Sequence, residues 1–429
     1  LALRGSGCSY GDASVNARGH VVELGALKRI TRWDPATGVA ECEPGVTIAQ
    51  LWKHVLADGY WPRVVSGTMF PTLAGAAAMN IHGKNNFRVG TIGDAIREFD
   101  LVTPAGELLT CDRARRPDVF HAAIGGAGLL GAFTRIVLET KHVHSGDLEV
   151  RGISVPGLAE AMAYFEAHKA EADYLVAWID CFAQHEGLGR GLIHEARYLA
   201  EGEDRDPRAT LTVKHQELPP NILGVPKSEA WRALRLLNHD AGMRALNALK
   251  YRMGALEERR GWQRQSHAAF AFLLDYVPNW KWAYGRRGGN GLIQYQAFVP
   301  KETAYDVYCE LLERNQRAGF VPYLGVLKRH RPDPFWLTHA CDGWSLALDY
   351  KVTPETRAAL WRHAAELTEV VLAGGGKFYF AKDLVIGPRD AERMFGAEKL
   401  AKFAALKREL DPAHVLETDL ARRVFAGAV

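Results

Sequence analysis

Residues 66–94 read SGTMFPTLAGAAAMNIHGKNNFRVGTIGD, a run of small and hydroxyl side chains with little net charge. Gly67, Gly75, Gly83, Gly90 and Gly93 suit turns or close approach by a neighbour. The run LAGAAA at 73–78 would let a helix start lie against a flat or charged partner, and backbone amides at such a start favour an anion. Ile81-His82-Gly83-Lys84-Asn85 then follows, polar after apolar. The plain alternative is a tightly packed glycine–alanine turn around a satisfied histidine. The sharper one is the wall of a large cofactor, its phosphates resting on backbone amides and its ring meeting His82.

A second glycine-rich loop lies upstream: Arg4-Gly5-Ser6-Gly7-Cys8-Ser9-Tyr10-Gly11-Asp12. Three glycines with hydroxyls between them let N–H groups converge on phosphate oxygens. Arg4 adds a cation with a bidentate fork. An ordinary glycine-rich turn is the alternative. Gly126-Ala127-Gly128-Leu129-Leu130-Gly131 spells G-x-G-x-x-G, a fingerprint that needs a strand before it and a helix after it. Here a helical pattern at 117–124 precedes it and a strand at 133–138 follows. A Rossmann nucleotide site is therefore rejected, although the glycines remain suited to close approach.

The elements that must position these residues come from a chain of 429 residues, 48% hydrophobic and 24% charged. That is enough for two or three domains and a large core. A net charge of +3 does not by itself imply nucleic acid. No apolar run approaches the roughly 18 residues of a membrane helix, and no signal peptide is legible. The chain opens on Leu1-Ala2-Leu3-Arg4-Gly5, the middle of a strand-to-turn pattern. The natural chain is therefore expected to start earlier, and this one to hold its cofactor poorly. Six scattered cysteines without C-x-x-C fit free thiols in a reducing compartment, hence a cytoplasmic location. His339 and Cys341 lack the partner pair that a metal would need.

Short strands are expected at 21–24 and 38–43, with Asp34-Pro35-Ala36-Thr37-Gly38 as the turn between them. Thr47 caps a helix whose apolar face is Ile48, Leu51, Trp52 and Val55. Segments 96–103 and 107–111 flank Pro104-Ala105-Gly106 as a hairpin. A composition change near 141–147 divides the chain into 1–142, an inserted 143–376 and a returning 377–429. Further strands are predicted at 174–181, 191–198, 292–299, 324–329, 346–351 and 378–382. Helices run through Leu158, Met162 and Phe165, and through Ala304, Val307, Tyr308 and Leu311. This mix predicts an α+β fold with one broad antiparallel sheet and helices on one face. Residues 229–253 read as one basic amphipathic helical segment carrying Arg232, Arg235, Arg244, Lys250 and Arg252. It is either a solvated face or one that meets a membrane surface or an acidic lipid.

The loop at 4–12, the 66–94 stretch, the 126–131 glycines and the closing Asp411-Pro412 together resemble the vanillyl-alcohol-oxidase (PCMH-type) FAD-binding family. The resemblance implies a two-subdomain FAD-binding domain made from both ends of the chain, with an inserted substrate domain covering the flavin ring. Five ordered motifs sharpen it along essentially the whole chain. They are Arg4-Gly5-x-Gly7-x-x-Tyr10-Gly11-Asp12, Ile81-His82-Gly83-Lys84-Asn85, Leu292-Ile293-Gln294-Tyr295-Gln296, Tyr379-x-Ala381-Lys382-Asp383 and Asp419-x-Ala421-Arg422-Arg423. These are similar to the branch that oxidises a polyprenyl-phosphoryl-ribose, the flavin half of an epimerase pair making an arabinofuranose donor for cell-wall arabinan. The resemblance implies FAD contacts from Arg4, Gly5, Ser6, Gly7, Cys8, Ser9, Tyr10, Gly67, Thr68, Thr72, Gly75, His82, Gly83, Asn85, Gly128 and Lys382. It implies substrate contacts from Gln294, Gln296, Lys328 and Ser345 and a separate ketoreductase as partner, while the basic 229–253 segment is what suggests a peripheral membrane contact. Many members attach FAD through a histidine where Cys8 stands, so non-covalent FAD is implied. A cysteine and an asparagine on the substrate side are replaced here by Ala347 and Ser345, which bears on the substrate more than on the chemistry.

Oxidising a secondary sugar alcohol requires hydride delivery to the flavin and loss of the hydroxyl proton, which the protein serves by orientation and charge. A fixed cation stabilises the anionic reduced flavin. Lys382, after the apolar Phe378-Tyr379-Phe380-Ala381, is the candidate. Tyr10 and His82 are placed to line the flavin, and either could accept the proton, His82 with the more suitable intrinsic pKa. Gln294 and Gln296 alternate on one strand face, aimed at sugar hydroxyls or flavin edges, with exposed polar positions as the alternative. Lys328 suits the substrate phosphate. The expectation is an FAD-dependent oxidoreductase acting on the C2 hydroxyl of a polyprenyl-phosphoryl-ribose, the first half of an epimerisation to arabinose, without metal or nucleic acid. An oxygen-using oxidase of a free sugar, alditol or aldonolactone, and a non-catalytic flavoprotein, are the alternatives.

Overall fold

A computed structural model describes residues 1–222, 224–285 and 288–425. The chain forms two compact units. The first comprises Leu1–Val143, Pro332–Ala340 and Phe378–Val429, and the second His144–Arg331 and Cys341–Lys377.

The first unit opens with β1 (Ala2–Arg4) parallel to β2 (Val21–Glu23). Next come β3 (Ile30–Asp34), β4 (Val39–Cys42), β5 (Tyr60–Pro62), β6 (Ile96–Val102), β7 (Leu108–Asp112) and β8 (Ala132–His142). Their sheet has the order β3-β4-β8-β6-β7, with β5 paired to β8. The turn at Asp34–Gly38 joins β3 to β4, a correction to the expectation that it links β4 to 21–24. Strand β3 was not legible because Thr31 and Arg32 both face solvent, which breaks the alternation. Arg135 of β8 ties its neighbours together, reaching Glu41 of β4 at 3.3 Å and Asp100 of β6 at 2.7 Å. Helix α1 (Ile48–Val55) starts at Thr47 in a capping box with Gln50 and buries Ile48, Leu51, Trp52 and Val55, as the sequence predicted. Trp52 lies 5.5 Å from Trp61 across the core. Four short helices complete this half: α2 (Leu73–Ala78), α3 (Asn86–Val89), α4 (Ile92–Ala95) and α5 (Pro117–Ala123).

The second unit is built on β9 (Asp147–Val155), β10 (Tyr174–Ile179), β11 (Gly191–Tyr198), β14 (Gln263–Ser266), β15 (Gly291–Pro300), β16 (Leu324–His330) and β17 (Gly343–Val352). A small hairpin, β12 (Asn221–Ile222) and β13 (Val225–Pro226), lies apart. The sheet order is β14-β9-β11-β10-β16-β17-β15, antiparallel throughout, and the two-residue β18 (Lys377–Phe378) follows at the edge where the chain leaves this unit. Helices α6 (Leu158–His168), α11 (Ala304–Ala318) and α12 (Arg357–Ala373) cover one face. There Phe165 meets Trp344 at 5.3 Å, and the Tyr308 hydroxyl donates to the Trp344 carbonyl at 2.7 Å. Helices also stand on the opposite face, contrary to expectation. The segment predicted at 229–253 breaks into α8 (Ala230–Leu237) and α9 (Asp240–Glu257), because His239 caps α9 by accepting the Gly242 N–H at 3.2 Å. Gly254 of α9 lies against Leu192, and Lys250 Nζ is 4.4 Å from the Trp178 ring. Short helices α7 (Pro207–Thr210) and α10 (His267–Ala271) fill the loops.

The strand predicted at 378–382 ends at Phe378. The Tyr379 carbonyl accepts the N–H groups of Lys382 at 2.8 Å and Asp383 at 3.0 Å, which closes a turn instead. Helices α13 (Pro388–Phe395), α14 (Ala397–Leu410) and α15 (Asp419–Phe425) follow. The two ends of the chain then interlock. Glu417 N–H donates to the Leu1 carbonyl at 2.7 Å and Asp419 N–H to the Val15 carbonyl at 2.9 Å. No helix among the described residues is long and apolar enough to cross a membrane.

Candidate functional site

The loop after β1 folds onto the start of α2. A Cβ on Gly5 would stand 2.1 Å from Thr72 Oγ1, and one on Gly7, whose φ is +63°, 2.4 Å from an Arg4 guanidinium nitrogen. Both positions therefore require glycine. Thr72 is the N-cap of α2 and accepts the Gly75 N–H at 3.2 Å. Ser6, Cys8 and Ser9 lie on the same loop. Gly125 and Ala127 donate to the carbonyls of Ala77 and Ala78 at 3.0 and 2.9 Å. This lays the loop carrying Gly128 along the end of α2, where a Cβ on Gly128 would meet nothing within 4 Å. Asn85 donates to the Arg63 carbonyl at 3.0 Å. A Cβ on Gly83 would lie 3.0 Å from the Val65 carbonyl. Gly67 and Thr68 sit on the next turn, closed by the Ser66 hydroxyl donating to the Thr68 carbonyl at 2.8 Å. The structure thus joins the sequence-predicted loops into one connected shell.

The returning end of the chain meets the same loop. Tyr10 N–H donates to the Ala381 carbonyl at 2.8 Å, and Lys382 Nζ lies 3.6 Å from the centroid of the Tyr10 ring, a cation–π contact. Arg423 of α15 holds both strands of this junction. Its guanidinium grips Asp12 with two hydrogen bonds of 2.8 Å and Asp383 with one of 2.8 Å, and donates to the Ile386 carbonyl at 2.6 Å. Burial pushes the Asp383 carboxyl up, and Arg423 offsets part of that rise.

Segment 332–340 reaches the first unit from the second half of the chain. Asp333 anchors it, accepting from Asn80 Nδ2 at 2.9 Å, Thr91 Oγ1 at 3.1 Å and Thr338 Oγ1 at 3.0 Å. Burial pushes this carboxyl up. Phe335 fills the space beside Gly93, where a Cβ would stand 2.4 Å from its ring. The segment ends by bringing His339 Nε2 to 3.2 Å from His82 Nδ1. Tyr379 completes the cluster, its ring 5.1 Å from that of His82 and 4.3 Å from that of His339. The three residues are 6%, 3% and 5% exposed, and burial pushes the Tyr379 phenol up. Sequence reasoning considered His339 only as a metal ligand. The prolines of Pro332-Asp333-Pro334 could have marked a stop after a strand, and nothing in the sequence showed where the segment goes.

In the second unit, register sets Lys328 and Phe298 on either side of Ser345, Gln296 opposite Ala347 and Gln294 opposite Asp349. Strand alternation puts Gln294, Gln296, Lys328 and Ser345 on one sheet face. Gln296 Nε2 donates to the Ser345 hydroxyl at 3.3 Å, and His330 Nε2 lies 2.8 Å from the same oxygen. The Gln294 amide donates to Asp349. Gln296 is buried, so it is not an exposed strand position. Desolvation on this half-buried face pulls the Lys328 ammonium down to about 8. His330 and Asp349 were not named from sequence, although their alternation with Lys328 and Ala347 could have found them.

A flavin dinucleotide fits the first unit. The glycines at 5 and 7 bring backbone close, Gly128 leaves backbone open, and the buried Asn85 Oδ1 has no partner among the described residues. These features suit an FAD-binding flavoprotein, and residues 1–112 match the family described as FAD binding domain. The chain is 30% identical over 435 residues to decaprenylphosphoryl-beta-D-ribose oxidase of Mycolicibacterium smegmatis, covering 99% of this chain and 89% of that protein. It belongs to that family of oxidases: an FAD-dependent oxidoreductase. An uncharacterized protein in the mprA 5' region of Streptomyces coelicolor is 29% identical, over 88% of this chain and all of that one. Cytokinin dehydrogenase 6 of Oryza sativa subsp. japonica is 35% identical over 142 residues, 32% of this chain and 27% of that protein.

Proposed function

We propose that the protein oxidises the C2 hydroxyl of a polyprenyl-phosphoryl-ribose, the first half of an epimerisation to arabinose completed by a separate ketoreductase. What supports this reading is a pair of contacts inside an FAD-binding unit, Lys382 over the Tyr10 ring and buried His82 against Tyr379, the residue three before Lys382. Similarity to a relative named for decaprenylphosphoryl-ribose, along nearly the whole chain, supports the substrate class.

FAD, held non-covalently, supplies the two-electron acceptor. Arg4 and the amides of the loops carrying Gly5, Gly7, Thr72 and Gly75 serve its phosphates. Gly67, Thr68, Gly83, Asn85 and Gly128 line it, with Ser6, Cys8 and Ser9 along the loop. Lys382 holds a positive charge beside the site where negative charge accumulates. His82 takes the hydroxyl proton, and Tyr10 orients the sugar. In the second unit, Gln294, Gln296 and Ser345 serve the sugar hydroxyls, and Lys328 the phosphate. Exposed Leu249, Met253 and Leu256 beside Arg252 on α9 favour contact with the membrane that carries a lipid-linked substrate.

Anaerobic mixing of FAD-loaded protein with polyprenyl-phosphoryl-ribose tests this. Flavin bleaching by that lipid, and none by free ribose or ribitol, is the expected result. Efficient bleaching by a soluble alditol followed by rapid reoxidation in oxygen would favour a free-polyol oxidase. Acid precipitation should leave all flavin in the supernatant.

A further inference from the structure

Three buried rings, His82, His339 and Tyr379, meet where segment 332–340 crosses the first unit, and the reaction above uses only His82. We propose that His339 is a positioning residue for His82. It accepts the His82 Nδ1–H on its own Nε2 and fixes that tautomer, so that His82 Nε2 carries a lone pair rather than a proton and can take the substrate's hydroxyl proton. His339 acts here through His82, and therefore rests on the flavin reaction proposed above.

Two ring nitrogens 3.2 Å apart hold one proton between them. Two protons would set donor against donor, and none would set lone pair against lone pair. A neutral imidazole carries one ring proton, so the nitrogen facing His339 determines the state of the other. Only with hydrogen on Nδ1 can His82 gain a proton at Nε2 and keep its partner, because His339 then continues to accept. The step balances. The substrate O–H bond breaks and its proton goes to His82 Nε2, while the carbinol C–H bond breaks and its hydrogen leaves with the electron pair to bound FAD. The alcohol becomes a ketone, and His82 becomes a cation hydrogen-bonded to His339.

The surroundings suit this role. Thr338 donates to Asp333 at 3.0 Å and accepts the Ala340 N–H at 3.0 Å, so both neighbours of His339 are held. Burial of both rings disfavours a second charge on the pair. Tyr379, facing both rings, stays neutral because burial raises its phenol. Asp333 and Asp94 bond to Thr91, whose backbone bridges that of His82. Lys382, three residues after Tyr379, carries the opposite sign to these carboxyls.

Ring-15N-histidine NMR of the FAD-loaded protein tests the assignment, with His82→Asn and His339→Phe identifying the two rings. The expected wild-type state of His82 is Nδ1–H with Nε2 unprotonated. His339→Phe keeps a ring against Tyr379 but removes the acceptor. In it the tautomer should be lost, and the His82 midpoint should move to lower pH. His339→Gln, whose amide oxygen can accept, should restore both. In the Phe variant the base-dependent rise in flavin reduction rate should also move to lower pH and reach a lower plateau. A wild-type Nε2–H tautomer, or an identical His82 titration in the wild type and the Phe variant, overturns the proposal. If the Phe variant fails to fold, the wild-type tautomer alone decides. FAD addition that leaves the His82 signals unmoved would remove the flavin from His82 while leaving the tautomer result standing.

Discussion

Lys382 is a cation with an aromatic face 3.6 Å away, at a turn where the returning chain touches the glycine-rich loop. Lysine there contributes charge rather than a bidentate grip. Replacing it with methionine keeps the stem and removes the charge. Lys382→Met is expected to bind FAD but to lose roughly 10²–10³ in flavin reduction rate, the usual cost of one oriented electrostatic group. Anaerobic stopped-flow absorbance measures this directly. Lys328 gives a pH signature of a different kind. Burial pulls its ammonium down to about 8, so the charge is complete well below that pH and fades as pH rises through it. Affinity for a phosphorylated substrate should therefore weaken above pH 8, and Lys328→Gln should bind weakly with no such dependence. Equilibrium titration across pH 6–10 checks both arms. At this scale Lys382, His82 and Tyr10 could be singled out in the sequence because short ordered motifs carry them. His339 was not, since its value lies in a neighbour 257 positions away.

At the scale of elements, one arginine on the last helix does what no loop residue could. Arg423 joins Asp12 of the first loop to Asp383, the residue after Lys382. A lysine keeps the charge but cannot grip one carboxylate with two parallel bonds while reaching another. Arg423→Lys should fold with a slightly lower melting temperature and slow flavin reduction roughly tenfold, about 1.4 kcal/mol. Combined with Lys382→Met it should add little, because both changes act on the same cation. A full additive loss in the double variant would separate the clamp from the lysine. The sequence showed α1, α6, α11 and most sheet strands, where apolar periodicity reports a buried face. It failed where hydrogen bonds outweigh pattern. The Tyr379 carbonyl turns an apolar run that reads as strand, and His239 breaks a helical segment that reads as continuous.

At the scale of the molecule, the first unit is assembled from three stretches that are distant in sequence, 1–143, 332–340 and 378–429. Resemblance suggested that the two ends fold together; the middle piece had no local signal, because its anchor Asp333 finds its partners Asn80 and Thr91 only in the folded chain. A ligand that binds only the assembled unit stabilises all its parts together, by roughly 2.7 kcal/mol at a hundredfold excess over Kd. FAD should therefore slow amide hydrogen exchange in 1–16, 332–340 and 415–425 as well as in the glycine-rich 66–94 stretch. The amides of Leu420 and Asp419, bonded to the Asp12 and Val15 carbonyls, are the most direct reporters of closure at the ends. Protection confined to 66–94 would mean that the cofactor grips one loop and leaves the ends to open independently. Protection that appears in all four segments at one FAD concentration would mean that closure of the chain ends and binding of the cofactor are a single equilibrium.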